Sequence, residues 1–452
     1  MRAGGVAEPA IRTFVAAVAK VAAGERGMIA ESMIAPAADL PSLESLPPTT
    51  GQCGELLGQL AVIKLNGGLG TSMGLDRVKS LIPVKGETTF LDFIARQVMH
   101  LRDTSGAAQL AFYLMDSFNT QADTLNYLRS YPALAQEDLL DFLQSKAPKL
   151  EATTLRPIAW PAQPELEWCP PGHGDLYPSL LGCGLLDRLL ARGIRFLFVS
   201  NADNLGATVD ERLLRYFAEA DCSFLMEVAR RTAADRKGGH LARRRVDGRL
   251  LLREGAQCPA EDQVEFQNLE RHGFFNTNNL WIRLDHLKTE LERRGGVLPL
   301  AIITNEKTVD PRQAGSPRVL QIESAMGAAI ECFDRAEAMV VPRSRFAPVK
   351  TTSDLLALRS DAYRVTEDFK VVLDKSRAGR PPTVELDNQH YRLLAGFEEA
   401  FAAGVPSLIR CDSLKVSGKM VFAAGVECRG EVEFINPGPG VALVTPGVYS
   451  GT

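Results

Sequence analysis

Leu60-Ala61-Val62-Ile63-Lys64-Leu65 runs without a break into Asn66-Gly67-Gly68-Leu69-Gly70-Thr71-Ser72-Met73-Gly74. A short apolar run stopped by glycines reads as a buried strand leading into a loop. The four glycines let backbone N–H groups close around a phosphate or a flat base with no Cβ in the way, and a helix start behind the loop would add its dipole. Two familiar loops fail on spacing. Counted from Gly67, a Walker loop needs glycine where Ser72 stands, and the dinucleotide fingerprint needs it at Met73, one residue short of Gly74. A purely structural turn stays open at this point.

Outward from that stretch, helical and apolar segments alternate. Residues 90–98 carry a helical pattern, residues 109–115 a second strand, residues 180–191 a helix ended by Arg192-Gly193, and residues 196–199 a third strand. Strand, helix and strand at this spacing predict an α/β fold, with a largely parallel sheet between helices. Residues 10–21 predict a surface helix, and the Pro/Ser-rich residues 35–51 a connector. From residue 407 β-branched residues are punctuated by glycines, which suits either the coils of a β-solenoid or an ordinary small sheet.

The 452 residues carry 51 Lys and Arg against 55 Asp and Glu, a net charge of −4. No basic surplus exists to neutralise a nucleic-acid backbone over a wide footprint, although a local basic pocket is allowed. The eight cysteines form no C-x-x-C pair, which argues against a structural zinc site and a disulfide framework and points to a reducing cytoplasm. No apolar run reaches the 18 residues of a membrane span. Neither nucleic acid nor a membrane is expected as a partner.

Several polar groups stand where chemistry could use them. Lys79 lies in a turn beside the glycine loop and could meet a triphosphate as a point charge, unless it is merely solvated. Asp203 follows the strand at 196–199, where a carboxylate suits Mg²⁺ together with phosphate oxygens, or simply forms a turn before Gly206. His173 is displayed between glycines after Pro170-Pro171. Asn276 and Asn278 fall on one side of an extended segment because the strand period is two, and paired amides suit sugar hydroxyls. Arg343, Arg345 and Lys350 concentrate three cations in ten residues, either an anion cradle or a solvated loop.

Six ordered segments, Leu65-Asn-Gly-Gly-Leu-Gly-Thr-Ser-Met-Gly74, Trp168-Cys-Pro-Pro-Gly-His-Gly-Asp175, Asn201-Ala-Asp-Asn-Leu-Gly206, Phe275-Asn-Thr-Asn-Asn-Leu-Trp281, Gln321-Ile-Glu-Ser-Ala-Met-Gly-Ala-Ala329 and Val341-Pro-Arg-Ser-Arg-Phe-Ala-Pro-Val-Lys350, resemble the eukaryotic-type UDP-glucose pyrophosphorylase family. The resemblance covers roughly residues 60–435. It implies a nucleotide-diphospho-sugar transferase core over residues 55–375, a left-handed β-helix over 376–452, and an N-terminal helical segment and linker over 1–54. It further implies that the backbone of Leu65, Asn66, Gly67, Gly68 and Gly70 approaches uridine, and that Gln144 and the backbone of Gly172 read uracil. Asp203 is expected at the ribose and metal end with Mg²⁺, Lys79 and Lys350 at the phosphates, and His173, Asn201, Glu254, Asn276 and Asn278 at the hexose. The implied reaction joins UTP and glucose 1-phosphate into UDP-glucose and pyrophosphate. A broad-specificity UDP-sugar or UDP-N-acetylhexosamine enzyme, and an inactive nucleotide-sugar-binding regulator, are the alternatives. Self-association through the end of the β-helix is an open expectation.

Overall fold

The computed structural model describes residues 1–48, 53–75, 77–135 and 140–451; the end of the expected connector, residues 49–51, lies outside them. At its centre is a seven-stranded sheet. In chain order its strands are β1 (Leu60–Leu65), β2 (Ala111–Asp116), β3 (Asp141–Leu143), β4 (Phe196–Asn201), β5 (Phe224–Arg230), β6 (Phe274–Arg283) and β7 (Ala336–Val340). In space they run β7-β5-β6-β4-β1-β2-β3. Pairings are parallel except those of β6, which is antiparallel to both β4 and β5.

Alternation along the strands explains the layers. Leu60 and Val62, with Phe196 and Phe198, enter one apolar cluster, while Ala61 and Ile63, with Leu197 and Val199, enter another. The strands are buried on both faces because helices cover both. Phe90–Ser105, Glu211–Glu219 and Thr352–Arg359 pack on the first face, and Leu176–Gly182, Leu185–Ala191 and Leu284–Arg293 on the second. The charged head of Lys64 in β1 is held inside the sheet by Ser200 Oγ at 2.7 Å and the Ala207 carbonyl at 2.6 Å, and burial lowers its pKa to about 7.

Local departures from the sequence pattern have physical causes. The helix expected over residues 180–191 is two helices, because Gly184 adopts a left-handed conformation (φ 72°) between them. The expected connector contains a short strand, Ile34–Pro36, whose backbone finds partners at Ala242, Arg243 and Arg244. Among the described residues no α-helix begins directly behind the glycine loop. A single 3-10 turn, Thr71–Met73, follows, so any anion there would meet backbone N–H groups rather than a helix dipole.

Toward the C-terminus Thr383–Leu386, Ser407–Ser417, Val426–Ile435 and Gly447–Ser450 lie side by side in that order with parallel pairings, and Met420–Phe422 pairs parallel to Ala442–Val444. Leu414, Val416, Phe422 and Val432 on these strands are buried in the same apolar cluster as the first face of the central sheet.

Candidate active site at the carboxyl ends of β1, β2 and β4

Three parallel strands deliver their carboxyl ends to one edge of the sheet, where ligands of open α/β folds bind. Leu65 leads into the glycine loop, Asp116 into Ser117, and Asn201 into Asp203. The loop leans on β2 through Asn66 N–H to the Met115 carbonyl at 2.8 Å and Ser117 Oγ to the Gly67 carbonyl at 3.0 Å. A Cβ on Gly67 would stand 2.9 Å from Gln144 Oε1, whereas one on Gly68 would meet nothing within 4 Å. Gly67 thus admits Gln144, and Gly68 faces open space.

Leu69 forms a β-bridge with Val78, and Lys79 N–H donates to the Gly68 carbonyl at 3.3 Å, so the turn bearing Lys79 is folded back on the loop. The Lys79 ammonium lies 2.6 Å from Asp203 Oδ2. The other carboxylate oxygen, Asp203 Oδ1, is buried without a hydrogen-bond partner. An orphaned carboxylate oxygen beside the glycine loop suits a hard divalent cation. Among the described residues no group of three His, Cys, Asp or Glu could hold a metal, so such an ion would take most of its ligands from phosphates and water.

Gln144 Nε2 donates to the Gly172 carbonyl at 3.0 Å. Gly172 has φ 80°, and a Cβ there would lie 2.4 Å from the Ser324 carbonyl oxygen, so no other residue fits this turn without moving backbone. The next residue, His173, accepts Met326 N–H at its Nδ1 (3.0 Å). That bond leaves the ring proton on Nε2, making the neutral imidazole a donor there.

Burial lowers the His173 pKa to about 4. This lies below the unfolded value of about 6.5, so the unfolded chain takes up the proton first as pH falls. The contribution to stability is flat above about pH 6.5 and is lost progressively down to about pH 4. His173→Gln is expected to lose less unfolding free energy than the parent between pH 7.5 and pH 5 in urea titrations. Equal losses would rule out a buried neutral imidazole.

Asn276 and Asn278 share one side of β6, as the strand period requires, and Asn276 Nδ2 donates to Asn278 Oδ1 at 2.9 Å. The pairing with β5 slips here, and Asn278 takes φ 58°, so the two amides meet at an irregular end of the strand. Gly327 closes over them: a Cβ on it would stand 2.6 Å from Asn276 Nδ2. Burial raises the Glu254 pKa, and the charge of Lys350 opposes the shift. Asn201 ends β4 two residues before Asp203. Lys350 is tied to the same turn, because Val349 N–H donates to the Asp203 carbonyl at 3.1 Å and Asn204 bridges Pro348.

The three-cation cradle expected over residues 341–350 is divided by the fold. Arg343 pairs with Asp235 at 2.6 Å. Arg345 is buried and pairs through two nitrogens with Glu227, itself fully buried. Of the three, Lys350 alone is exposed.

Sequence reasoning passed over Asp116 and Glu227. Asp116 Oδ1 accepts from Asn66, Thr120 and Thr124. Its signal was present, since it follows a buried strand just as Asp203 does. Glu227 also accepts from Asn279 and Trp281. Its signal was an acid inside the apolar run Phe224-Leu225-Met226-Glu227-Val228.

A glycine loop at the end of a central parallel strand, faced by a lysine–carboxylate pair and by clustered amides, defines an α/β nucleotide-handling transferase. The family model for UTP–glucose-1-phosphate uridylyltransferase matches residues 12–429, and the chain belongs to that family. Among its relatives, the UTP–glucose-1-phosphate uridylyltransferase of Solanum tuberosum is 43% identical over 380 residues, covering 84% of this chain and 77% of that protein. The Saccharomyces cerevisiae enzyme of the same name is 43% identical over 377 residues, covering 83% and 74%. A Leishmania major UDP-glucose pyrophosphorylase variant crystallised with UDP-glucose superposes with a TM-score of 0.94 at 48% identity, covering 100% of this chain and 98% of that one.

Proposed function

We propose that this chain transfers the uridylyl group of UTP to glucose 1-phosphate, giving UDP-glucose and pyrophosphate. The observation that carries the reading is the Lys79–Asp203 pair, with Asp203 Oδ1 left unpartnered, at the edge where the glycine loop opens. Family membership, and the UDP-glucose named with a structural neighbour, support the choice of substrates.

Both reactants are anions, so the protein's work is neutralisation and alignment rather than covalent catalysis. The backbone of Leu65, Asn66, Gly67, Gly68 and Gly70 receives the nucleoside, with Gln144 and Gly172 at uracil. Lys79 and Lys350 offset charge on the triphosphate while a phosphate oxygen of the sugar attacks the α-phosphorus and pyrophosphate departs. Nε2–H of His173, Asn201, Glu254, Asn276 and Asn278 orient the hexose phosphate. Asp203 would hold Mg²⁺, whose bound form supplies further neutralisation of the phosphate oxygens.

Purified protein with UTP, Mg²⁺ and glucose 1-phosphate is expected to release pyrophosphate. Galactose and N-acetylglucosamine 1-phosphates test the broader-specificity alternatives, and silence with every sugar phosphate would leave the inactive nucleotide-sugar binder. Asp203→Asn is expected to raise the Mg²⁺ needed for half-maximal rate about tenfold or more. An unchanged titration removes Asp203 as a ligand.

We also infer a division into residues 1–54, 55–375 and 376–452, with a left-handed turn for the C-terminal solenoid. The exposed Ile435, Leu443 and Val448 near its end support contact between copies there. Among the described residues no helix is long and apolar enough to cross a membrane, and scattered free cysteines support a cytoplasmic setting.

A further inference from the structure

We propose that Asn66, Asp116 and Ser80 form a positioning network that sets Lys79 against the phosphates of UTP, their side chains acting through Lys79 without touching substrate. The inference rests on the uridylyltransferase reading and assigns side chains for which that reading has no role. All three are buried. Asn66 Nδ2 donates to Asp116 Oδ1 at 2.8 Å and to Thr124 Oγ1 at 2.9 Å, and its Oδ1 accepts Ser80 Oγ at 2.5 Å. Both ends of the Asn66 amide are thereby occupied by protein, which leaves only its backbone to face a nucleotide.

The chain of contacts has a direction. Thr120 and Thr124, from the helix segment after β2, anchor Asp116 Oδ1 at 3.0 and 3.2 Å. Asp116 fixes the Asn66 amide, and Asn66 fixes Ser80, the neighbour of Lys79. The glycine loop between them offers few side chains with which to hold its own shape, and this network adds side-chain hydrogen bonds to the backbone contacts at Gly68, Leu69 and Gly70 that join the loop to the Lys79 turn. Hydrogen bonds at both ends of the buried Asn66 amide specify one geometry in a way that apolar contacts do not, with Asp116 held through Oδ1 while its Oδ2 has no partner. A displacement of about an ångström at a phosphate-binding cation is costly to rate.

Exchanging the two side chains tests the pair. Asn66→Asp sets carboxylate against carboxylate, and Asp116→Asn in the same chain restores a donor opposite the new acid while Ser80 still has an acceptor. The parent's UTP-dependent pyrophosphate release is measured first; its absence would overturn the functional reading and the network's assigned role together, whereas an active parent tests the network alone. With an active parent, Asn66→Asp is expected to lower kcat about 30-fold or more with KM for glucose 1-phosphate within about threefold, and the double variant to recover about tenfold. Ser80→Ala, which deletes only the last link, is expected to lower kcat about tenfold and to decide the question if Asn66→Asp fails to fold. The proposal is overturned by kcat within threefold of the parent in either single variant. It is equally overturned by a double variant that recovers nothing, or by an effect confined to KM for UTP, which would mark a direct ligand contact.

Discussion

Lys79→Ala is expected to lower kcat/KM for UTP by about 10²–10³-fold, the loss typical when one preorganised donor to a transition-state anion is removed. The effect has two parts. The ammonium that would meet the phosphates is gone, and Asp203, whose Oδ2 it neutralises at 2.6 Å, is left to face the triphosphate as an unpaired acid. Two like charges about 4 Å apart near a protein surface repel by about 4 kcal/mol. Lys79→Arg is not expected to rescue. Its planar fork can engage both oxygens of Asp203, taking up the Oδ1 that a cation would need. Steady-state kinetics of the two variants decide the matter, and an alanine variant within threefold of the parent would remove Lys79 from the phosphates.

Glu227→Ala is expected to cost about 3–5 kcal/mol of stability, because it strands the buried Arg345 guanidinium and removes the acceptor of Asn279 and Trp281. The pair lies deep between β5, β6 and the segment running to Lys350, and Arg345 also donates to the Thr208 carbonyl at 2.9 Å. Replacing both partners with leucine should recover much of the loss, since the penalty belongs to the lone charge. Denaturant unfolding measures it. A single-variant loss below about 1 kcal/mol would mean that water reaches Arg345.

Much of the architecture was legible because strand periodicity and glycine punctuation are local properties. β1 could be read from residues 60–65, β4 from residues 196–199, and the helix at Phe90–Ser105 from the apolar spacing of residues 90–98. The break at Gly184 was not, because a glycine within a helical pattern is often tolerated and only the packing of Leu185 and Leu186 reveals the turn. The site was legible where a motif recurs in a family. Asp116 and Glu227 escaped because sequence does not give depth. An acid after a strand can be solvated or buried, and the partners that make Asp116 an anchor lie at Asn66, Thr120 and Thr124. Likewise Arg343, Arg345 and Lys350 look alike in sequence, and only the distant Asp235 and Glu227 separate two structural cations from the exposed one.

The reversed direction of β6 sets the two halves of the site on different mechanical footings. Strands β1, β2 and β4 reach the site at their carboxyl ends and offer loops, whereas β6 enters it at its beginning and offers Asn276, paired with Val228 of β5, and Asn278 at the irregularity beside it. The nucleotide half can therefore be retuned by changing loop length or glycine content at little cost to folding. The half assigned to the sugar is written into the sheet itself, so a change of hexose would have to be made in residues that also hold β5 and β6 together. Selection for a new sugar phosphate should be slower and costlier than selection for a new base, and the first substitutions to appear should fall around the strand, at positions such as Gly327, before they reach the amides.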